Sequence, residues 1–150
     1  MIPGRKLAVD FGSARIGVAV SSIDGIICSP LDTVPNNDSA IARLSEAIQD
    51  QEPVAIYVGL PLNLQGEHTQ STENAIAFAK EIAERTDIPV RLVDERMSTR
   101  AAQSQMYASG KSSKSSRSLI DAAAATLILE SAIAQERSSG GLVGRSVSEF

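Results

Sequence analysis

Four acidic residues of this 150-residue chain stand where metal-ion chemistry is possible. Asp10 lies near the end of the first predicted strand, Asp94 and Glu95 end the last, and Asp121 falls in the first turn of the final predicted helix. Ligands of open α/β sheets collect beyond the carboxyl ends of the strands, so these carboxylates meet if their strands are neighbours. Carboxylates without histidine or cysteine suit Mg²⁺ or Mn²⁺, and two such ions support phosphodiester hydrolysis.

Each acid also has a simpler structural interpretation. Asp10 precedes Phe11-Gly12 and could end a strand in a turn, although an acid inside an apolar run is costly unless it is paired. Asp94 or Glu95 could pair with Arg96. Strand alternation sends Asp94 and Glu95 to opposite faces, so only one of them can point at Asp10. Asp121 follows Ser118 at the spacing of a capping box, which would satisfy helix-end N–H groups instead.

The composition excludes several other kinds of site. Cys28 is the single cysteine and His68 the single histidine, so a disulfide, a zinc site with paired cysteines and a histidine-rich metal site are excluded, and a Ser-His-Asp triad is disfavoured. No segment is apolar for long enough to cross a bilayer, and no signal peptide is recognisable, which predicts a cytoplasmic protein without a membrane partner. The net charge of -4 argues against binding nucleic acid by bulk charge.

The positive charge is concentrated in one segment. Between residues 96 and 120 there is no Asp or Glu, and the basic residues there are Arg96, Arg100, Lys111, Lys114 and Arg117. The segment is bounded by Glu95 and Asp121, two of the candidate metal ligands. One interpretation is a solvated flexible loop. The other is a phosphate-binding strip beside the site, for which we single out Arg96, Lys111, Lys114 and Arg117.

The periodicity predicts one α/β domain over residues 1–137. Strands are predicted at 6–11, 15–21, 26–31, 54–58 and 89–95, the first three linked by hairpin turns and the rest parallel. One helix is predicted between the polar loop at 35–39 and Glu52-Pro53, with Ile41, Leu44 and Ile48 on one face. Further helices are predicted from about 69 to 85, 98 to 108 and 119 to 136, with a polar basic loop at 109–117. The result is a mixed five-stranded sheet flanked by helices, followed by a flexible tail over 138–150.

Four blocks of this sequence together resemble the RuvX (YqgF) family, relatives of the Holliday junction resolvase RuvC. They begin at Asp10-Phe-Gly-Ser-Ala-Arg, Gly59-Leu-Pro-Leu-Asn, Asp94-Glu-Arg-Met and Ile120-Asp-Ala-Ala. The resemblance implies an RNase H-like fold and metal-dependent cleavage that matures the 5′ end of 16S rRNA. It also implies that Asp10, Glu95 and Asp121 are the catalytic, metal-binding acids.

The same resemblance assigns the substrate side of the site. It implies that the block containing Asn63 is a loop on that side and that Arg15 contacts phosphate. The serine-rich loop before Asp121 departs from the more basic pattern of the family, which predicts weaker affinity for nucleic acid. The implied partner is structured RNA, namely pre-16S rRNA, with branched DNA as an alternative and ribosome-associated proteins as further partners. The sequence leaves monomer and homodimer open.

Two hypotheses from other classes remain. The Asp10, Gly12 and Gly17 spacing loosely resembles the phosphate-cradling turn of actin-like and sugar-kinase phosphotransferases, which generally need a second domain. A non-catalytic RNA-binding or assembly module is the other, and the retained acids speak against it.

Overall fold

The computed structural model describes residues 2–96 and 114–150, with side chains for 2–96 and 123–150. It contains a seven-stranded mixed sheet. The strands are β1 (Lys6–Phe11), β2 (Arg15–Ser21), β3 (Cys28–Pro30), β4 (Val34–Pro35), β5 (Ala55–Leu60), β6 (Val90–Asp94) and β7 (Arg145–Ser146). Their order in the sheet is β3-β2-β1-β5-β6-β7, and β4 pairs with β2.

The strand directions confirm the predicted mixed sheet. Strands β1 and β2 form an antiparallel hairpin, and β3 pairs antiparallel with β2. Strand β5 runs parallel to both β1 and β6. The sheet has seven strands where five were predicted, because β4 and β7 are two residues long and too short to show an alternating pattern.

Helices cover both faces of the sheet. They are α1 (Ala40–Gln51), α2 (Gln70–Ala83) and α3 (Lys114–Ser139), and a 3-10 helix spans Val147–Glu149. One core cluster joins Leu7 and Val9 to α1 and α2, and the other joins Ala8 to α3. Because alternate residues of a strand face opposite sides, β1 contributes to both clusters. We call the side covered by α3 the α3 face.

Helix α3 begins earlier than the sequence predicts. It was expected from residue 119 after a basic loop at 109–117, whereas the helix already includes Lys114. Lys and Arg favour the helical conformation, which offsets the weaker helix propensity of the serines in this segment. The packing of the later part of α3 against the sheet stabilises the helix as a whole. Lys111 and the helix predicted at 98–108 lie outside the described residues.

The C-terminal segment is packed rather than loose. Strand β7 pairs antiparallel with β6, and Phe150 packs against the cluster under α1 and α2. The Arg91 guanidinium donates 2.6 Å hydrogen bonds to the carbonyls of Val143 and Gly144. The expectation of a flexible tail over 138–150 is therefore wrong for residues 143–150, because their apolar side chains reach the sheet edge.

A buried polar network lies at the opposite end of α3 from the predicted site. Lys6 and Glu136 are both 0% exposed, with Lys6 Nζ 3.5 Å from Glu136 Oε1. The Tyr57 hydroxyl donates to Glu136 Oε2 at 2.6 Å and accepts from the Val143 amide at 3.4 Å. Burial and the bond to Glu136 raise the pKa of Tyr57. The network joins β1, β5, α3 and the C-terminal segment, and the sequence did not predict it.

Candidate functional site

The structure brings Asp10 and Glu95 together. Asp10 is two residues after Ala8 on β1, and Glu95 is two residues after Val93 on β6, so alternation puts both acids on the α3 face. The Glu95 amide donates to the Leu60 carbonyl at 3.3 Å, which fixes the backbone just beyond the end of β6. A side-chain hydrogen bond joins the Asp10 and Glu95 carboxyl groups. These two of the predicted acids therefore form one site.

Close approach of the two carboxyl groups changes their protonation. The pKa of Glu95 is raised to about 8, first by burial and then by the charge of Asp10 and the hydrogen bond with it. Like charges a few ångströms apart in a low-dielectric site cannot both ionise cheaply. Near neutral pH the pair consequently holds a proton, which a nearby cation would displace.

Asp94 faces away from this pair and binds Arg96 instead. Arg96 Nε lies 3.0 and 2.9 Å from the two Asp94 carboxylate oxygens, and Nη2 lies 2.5 Å from Oδ2. These hydrogen bonds lower the pKa of Asp94, which is exposed and ionised at neutral pH. The choice between Asp94 and Glu95 thus falls to Glu95 as the neighbour of Asp10, whereas Asp94 orients a guanidinium.

The loop after β5 lies beside that guanidinium. Asn63 Oδ1 accepts hydrogen bonds from the amides of Gln65 at 3.0 Å and Glu67 at 2.8 Å, so its side chain shapes the loop. Gly66 has a φ of +80°, and a Cβ there would lie 3.3 Å from Arg96 Nη1. The loop tip therefore packs against Arg96. Contact between Asn63 and a substrate stays a prediction.

Arg15 occupies the same end of the sheet as Asp10. It begins β2 and pairs with Pro35, and the next residue on its face, Gly17, is the partner of Asp10. The turn before it requires glycine, because a Cβ at Gly12 would lie 2.4 Å from the Arg15 carbonyl oxygen. Arg15 is thus placed on the α3 face near the acids, and its contact with phosphate stays a prediction.

The remaining predicted residues are only partly located. Asp121, Lys114 and Arg117 lie in the first turns of α3, and their side chains are outside the described part, as is all of Lys111. Within the described residues, no group of three His, Cys, Asp or Glu residues forms a metal-binding cluster. The described site therefore consists of two carboxylates, with the third predicted acid on a neighbouring helix.

Comparison with known proteins identifies the family. A family model described as "RuvX: Holliday junction resolvase" matches residues 4–135. The chain belongs to the RuvX family. The RuvX relatives include a protein of Streptomyces avermitilis that is 46% identical over 147 residues, covering 96% of this chain and 94% of that protein. Another, from Corynebacterium jeikeium, is 49% identical over 130 residues, covering 85% and 84%. Both carry the name "Putative pre-16S rRNA nuclease".

Solved structures agree on the fold of this RuvX protein. Thermus thermophilus RuvC in complex with a Holliday junction substrate has a TM-score of 0.61 at 17% identity, covering 93% of this chain and 98% of that chain. The fold is therefore RNase H-like, as the resemblance implied. Among the helices in the described part of the chain, none is long and apolar enough to cross a membrane.

Proposed function

We propose that this RuvX-family hydrolase is a divalent-metal-dependent nuclease that cleaves structured RNA, processing the 5′ end of pre-16S rRNA in the cytoplasm. The observation that carries the proposal is the hydrogen-bonded pair of Asp10 and Glu95 on the α3 face. The names of the relatives from Streptomyces avermitilis and Corynebacterium jeikeium support the choice of RNA.

The donor set fits a hard divalent cation. Asp10 and Glu95 offer carboxylate oxygens, the ligands that Mg²⁺ and Mn²⁺ prefer. Asp121 is the third proposed ligand. It precedes Ile128 of the core by seven residues, close to two helical turns, so its position belongs to the strip of α3 that faces the sheet. A bound pair of ions would activate a water molecule and stabilise the leaving oxygen.

The residues of the chain would act on the substrate in two ways. Glu95 would lose its proton when a cation binds, so both carboxylates would be ionised only while the cation is bound. Arg96 is held in place by both oxygens of Asp94 and presents a planar set of donors that matches a phosphate group. We assign Arg15 to phosphate contact as well, and we assign to the basic residues of the 96–120 segment an affinity for nucleic acid that carries little sequence information.

Cleavage of branched DNA is the second candidate. The description of the matching family model as a Holliday junction resolvase favours it. The two functions share the same acids and the same chemistry, and they differ in the nucleic acid that the positive surface accepts. Measuring cleavage of both substrates is therefore needed to distinguish RNA from DNA, because the acids of the site are the same for both.

The test is cleavage of end-labelled precursor rRNA and of a four-way DNA junction, each with and without Mn²⁺. Asp10→Asn is compared with wild type and with Asp50→Asn, which changes an exposed acid at the far end of α1. We expect Mn²⁺-dependent cleavage of the RNA by wild type and Asp50→Asn, and loss of cleavage for Asp10→Asn. Equal cleavage by Asp10→Asn would overturn the assignment, and cleavage of the junction alone would shift the substrate to DNA.

A further inference from the structure

Strand β5 separates the two acids of the site. In the sheet order β1-β5-β6, Asp10 and Glu95 belong to strands that are not neighbours. Two interstrand spacings put their backbones about 10 Å apart. Val9 pairs with Val58 on one side of β5, and Leu60 pairs with Asp94 on the other. The residue between those two partners is Gly59, so the Glu95 side chain must cross β5 at Gly59 to reach Asp10.

The space above Gly59 is occupied by the Glu95 carboxylate. A Cβ built on Gly59 would lie 2.4 Å from Glu95 Oε2 and 3.5 Å from Glu95 Cδ, and 2.8 Å from Ile128 Cδ1 of α3. Distances under 3.0 Å are essentially never found for real Cβ atoms. The backbone of Gly59 is not in the left-handed region, so its conformation is open to any residue. Glycine is therefore required here for space and not for its backbone freedom.

We propose that Gly59 is a positioning residue of the nuclease site: its missing side chain is the passage through which Glu95 reaches Asp10 across β5. The inference rests on the proposed function, since it assigns Gly59 to the assembly of the same acidic pair. It also explains why the glycine lies at the centre of the sheet, where an interior glycine otherwise weakens a strand.

A methyl group at position 59 would displace the carboxylate before it displaced the helix. Ile128 is 1% exposed and packed among Ala125, Leu129 and Ala132, so moving it disturbs the whole interface between α3 and the sheet. The carboxylate is the end of a flexible side chain on a residue that follows the strand. We therefore expect Gly59→Ala to separate Glu95 from Asp10 and leave the fold intact.

The experiment compares variants that separate carboxylate displacement from crowding of the core. Gly59→Ala is made alone and together with Ile128→Val, which removes Cδ1 and so relieves the contact with the helix. Ile128→Val alone is the packing control. Gly141→Ala is the matched glycine control, because a Cβ at Gly141 meets no atom within 4 Å. Mn²⁺ binding is measured by titration with MnCl₂ alone, and crystal structures are determined for wild type and the double variant.

We expect the double variant to bind Mn²⁺ at least tenfold more weakly than Ile128→Val, and Gly141→Ala to bind like wild type. The crystal structure of the double variant should show the Glu95 carboxylate no longer hydrogen-bonded to Asp10. Retention of that hydrogen bond in the double variant would overturn the role of Gly59, whatever the Mn²⁺ affinity. If wild type binds no Mn²⁺, the failure belongs to the proposed function, and the crystal structures still decide the role of Gly59.

Discussion

Replacing Glu95 with glutamine is expected to stabilise the protein increasingly as the pH rises. The pKa of Glu95 is raised to about 8 in the folded protein, against 4.5 for an ordinary glutamate. The folded state thus holds the proton more tightly than the unfolded chain does. Its stability is greatest below pH 4.5, falls as the pH rises, and levels off above about 8. Glutamine is neutral at every pH and removes this dependence.

The size of the effect follows from the two pKa values. At about 1.4 kcal/mol for each tenfold change, the penalty on wild type amounts to roughly 3 kcal/mol at pH 7 and reaches about 5 kcal/mol at its upper limit. The free energy of unfolding of Glu95→Gln should therefore exceed that of wild type by a few kcal/mol at pH 8 and differ little at pH 4.5. Because Asp10 and Glu95 titrate as a pair, Asp10→Asn should show the same trend.

The assay is urea unfolding from pH 4.5 to 8.5 in the presence of EDTA. The chain has no tryptophan, so far-UV circular dichroism is the appropriate signal. Glu46→Gln, at an exposed position of α1, controls for the loss of one negative charge. A difference between Glu95→Gln and wild type that stays constant over this pH range would refute the reasoning. Adding Mn²⁺ at pH 8 should narrow the difference, because binding to the folded wild type stabilises it.

Three further predictions concern the surroundings of the site. Glu136→Ala should lower the free energy of unfolding by about 3–5 kcal/mol in urea, because it leaves the buried Lys6 ammonium without its partner; a loss below 1 kcal/mol would contradict a buried ion pair. Asp94→Asn should weaken RNA binding in a filter assay severalfold while Mn²⁺ affinity stays at the wild-type value, because Arg96 loses its bidentate anchor; loss of Mn²⁺ binding would make Asp94 a ligand after all. The last variant replaces three basic residues with alanine, Lys111, Lys114 and Arg117. It should flatten the dependence of RNA affinity on salt concentration, and an unchanged slope would remove these residues from the substrate path.

The sequence predicts one contact of the candidate site, that of Asp10 with Glu95, but it does not predict the edges of the sheet. Alternation along β1 and β6 is enough to show that only one residue of the Asp94–Glu95 pair can face Asp10, and the structure places Glu95 there. The two-residue strands β4 and β7 carry no periodic signal, so the sheet was predicted with five strands. The C-terminal segment was predicted to be loose because its Ser-Gly composition conceals the apolar Val143 and Phe150, which find partners only in the folded chain.

The role of Gly59 could not be predicted from the sequence for a different reason. Within the block Gly59-Leu-Pro-Leu-Asn, a glycine is typical of a turn, and nothing in its neighbours indicates a strand interior. The role of Gly59 depends on the carboxylate of Glu95, 36 positions later in the chain, which reaches Gly59 only because β6 pairs with β5. Contacts of this kind depend on the strand order, which one sequence does not reveal.

Two glutamates on the α3 face, the buried Glu136 and the partly buried Glu95, differ in the groups that accompany them. Glu136 is accompanied by the Lys6 ammonium and the Tyr57 hydroxyl, so its charge is balanced inside the fold whatever is bound elsewhere. Glu95 is accompanied by Asp10, a second acid, and its pKa is raised to about 8, first by burial and then by the charge of Asp10 and the hydrogen bond with it. Two neighbouring carboxylates that retain a proton at neutral pH repel each other when both are ionised. A divalent cation bound between them would relieve this repulsion, so the pair favours cation binding. The net charge of -4 argues against binding nucleic acid by bulk charge, but it includes this pair. Binding a cation there would make the site more attractive to a phosphate backbone.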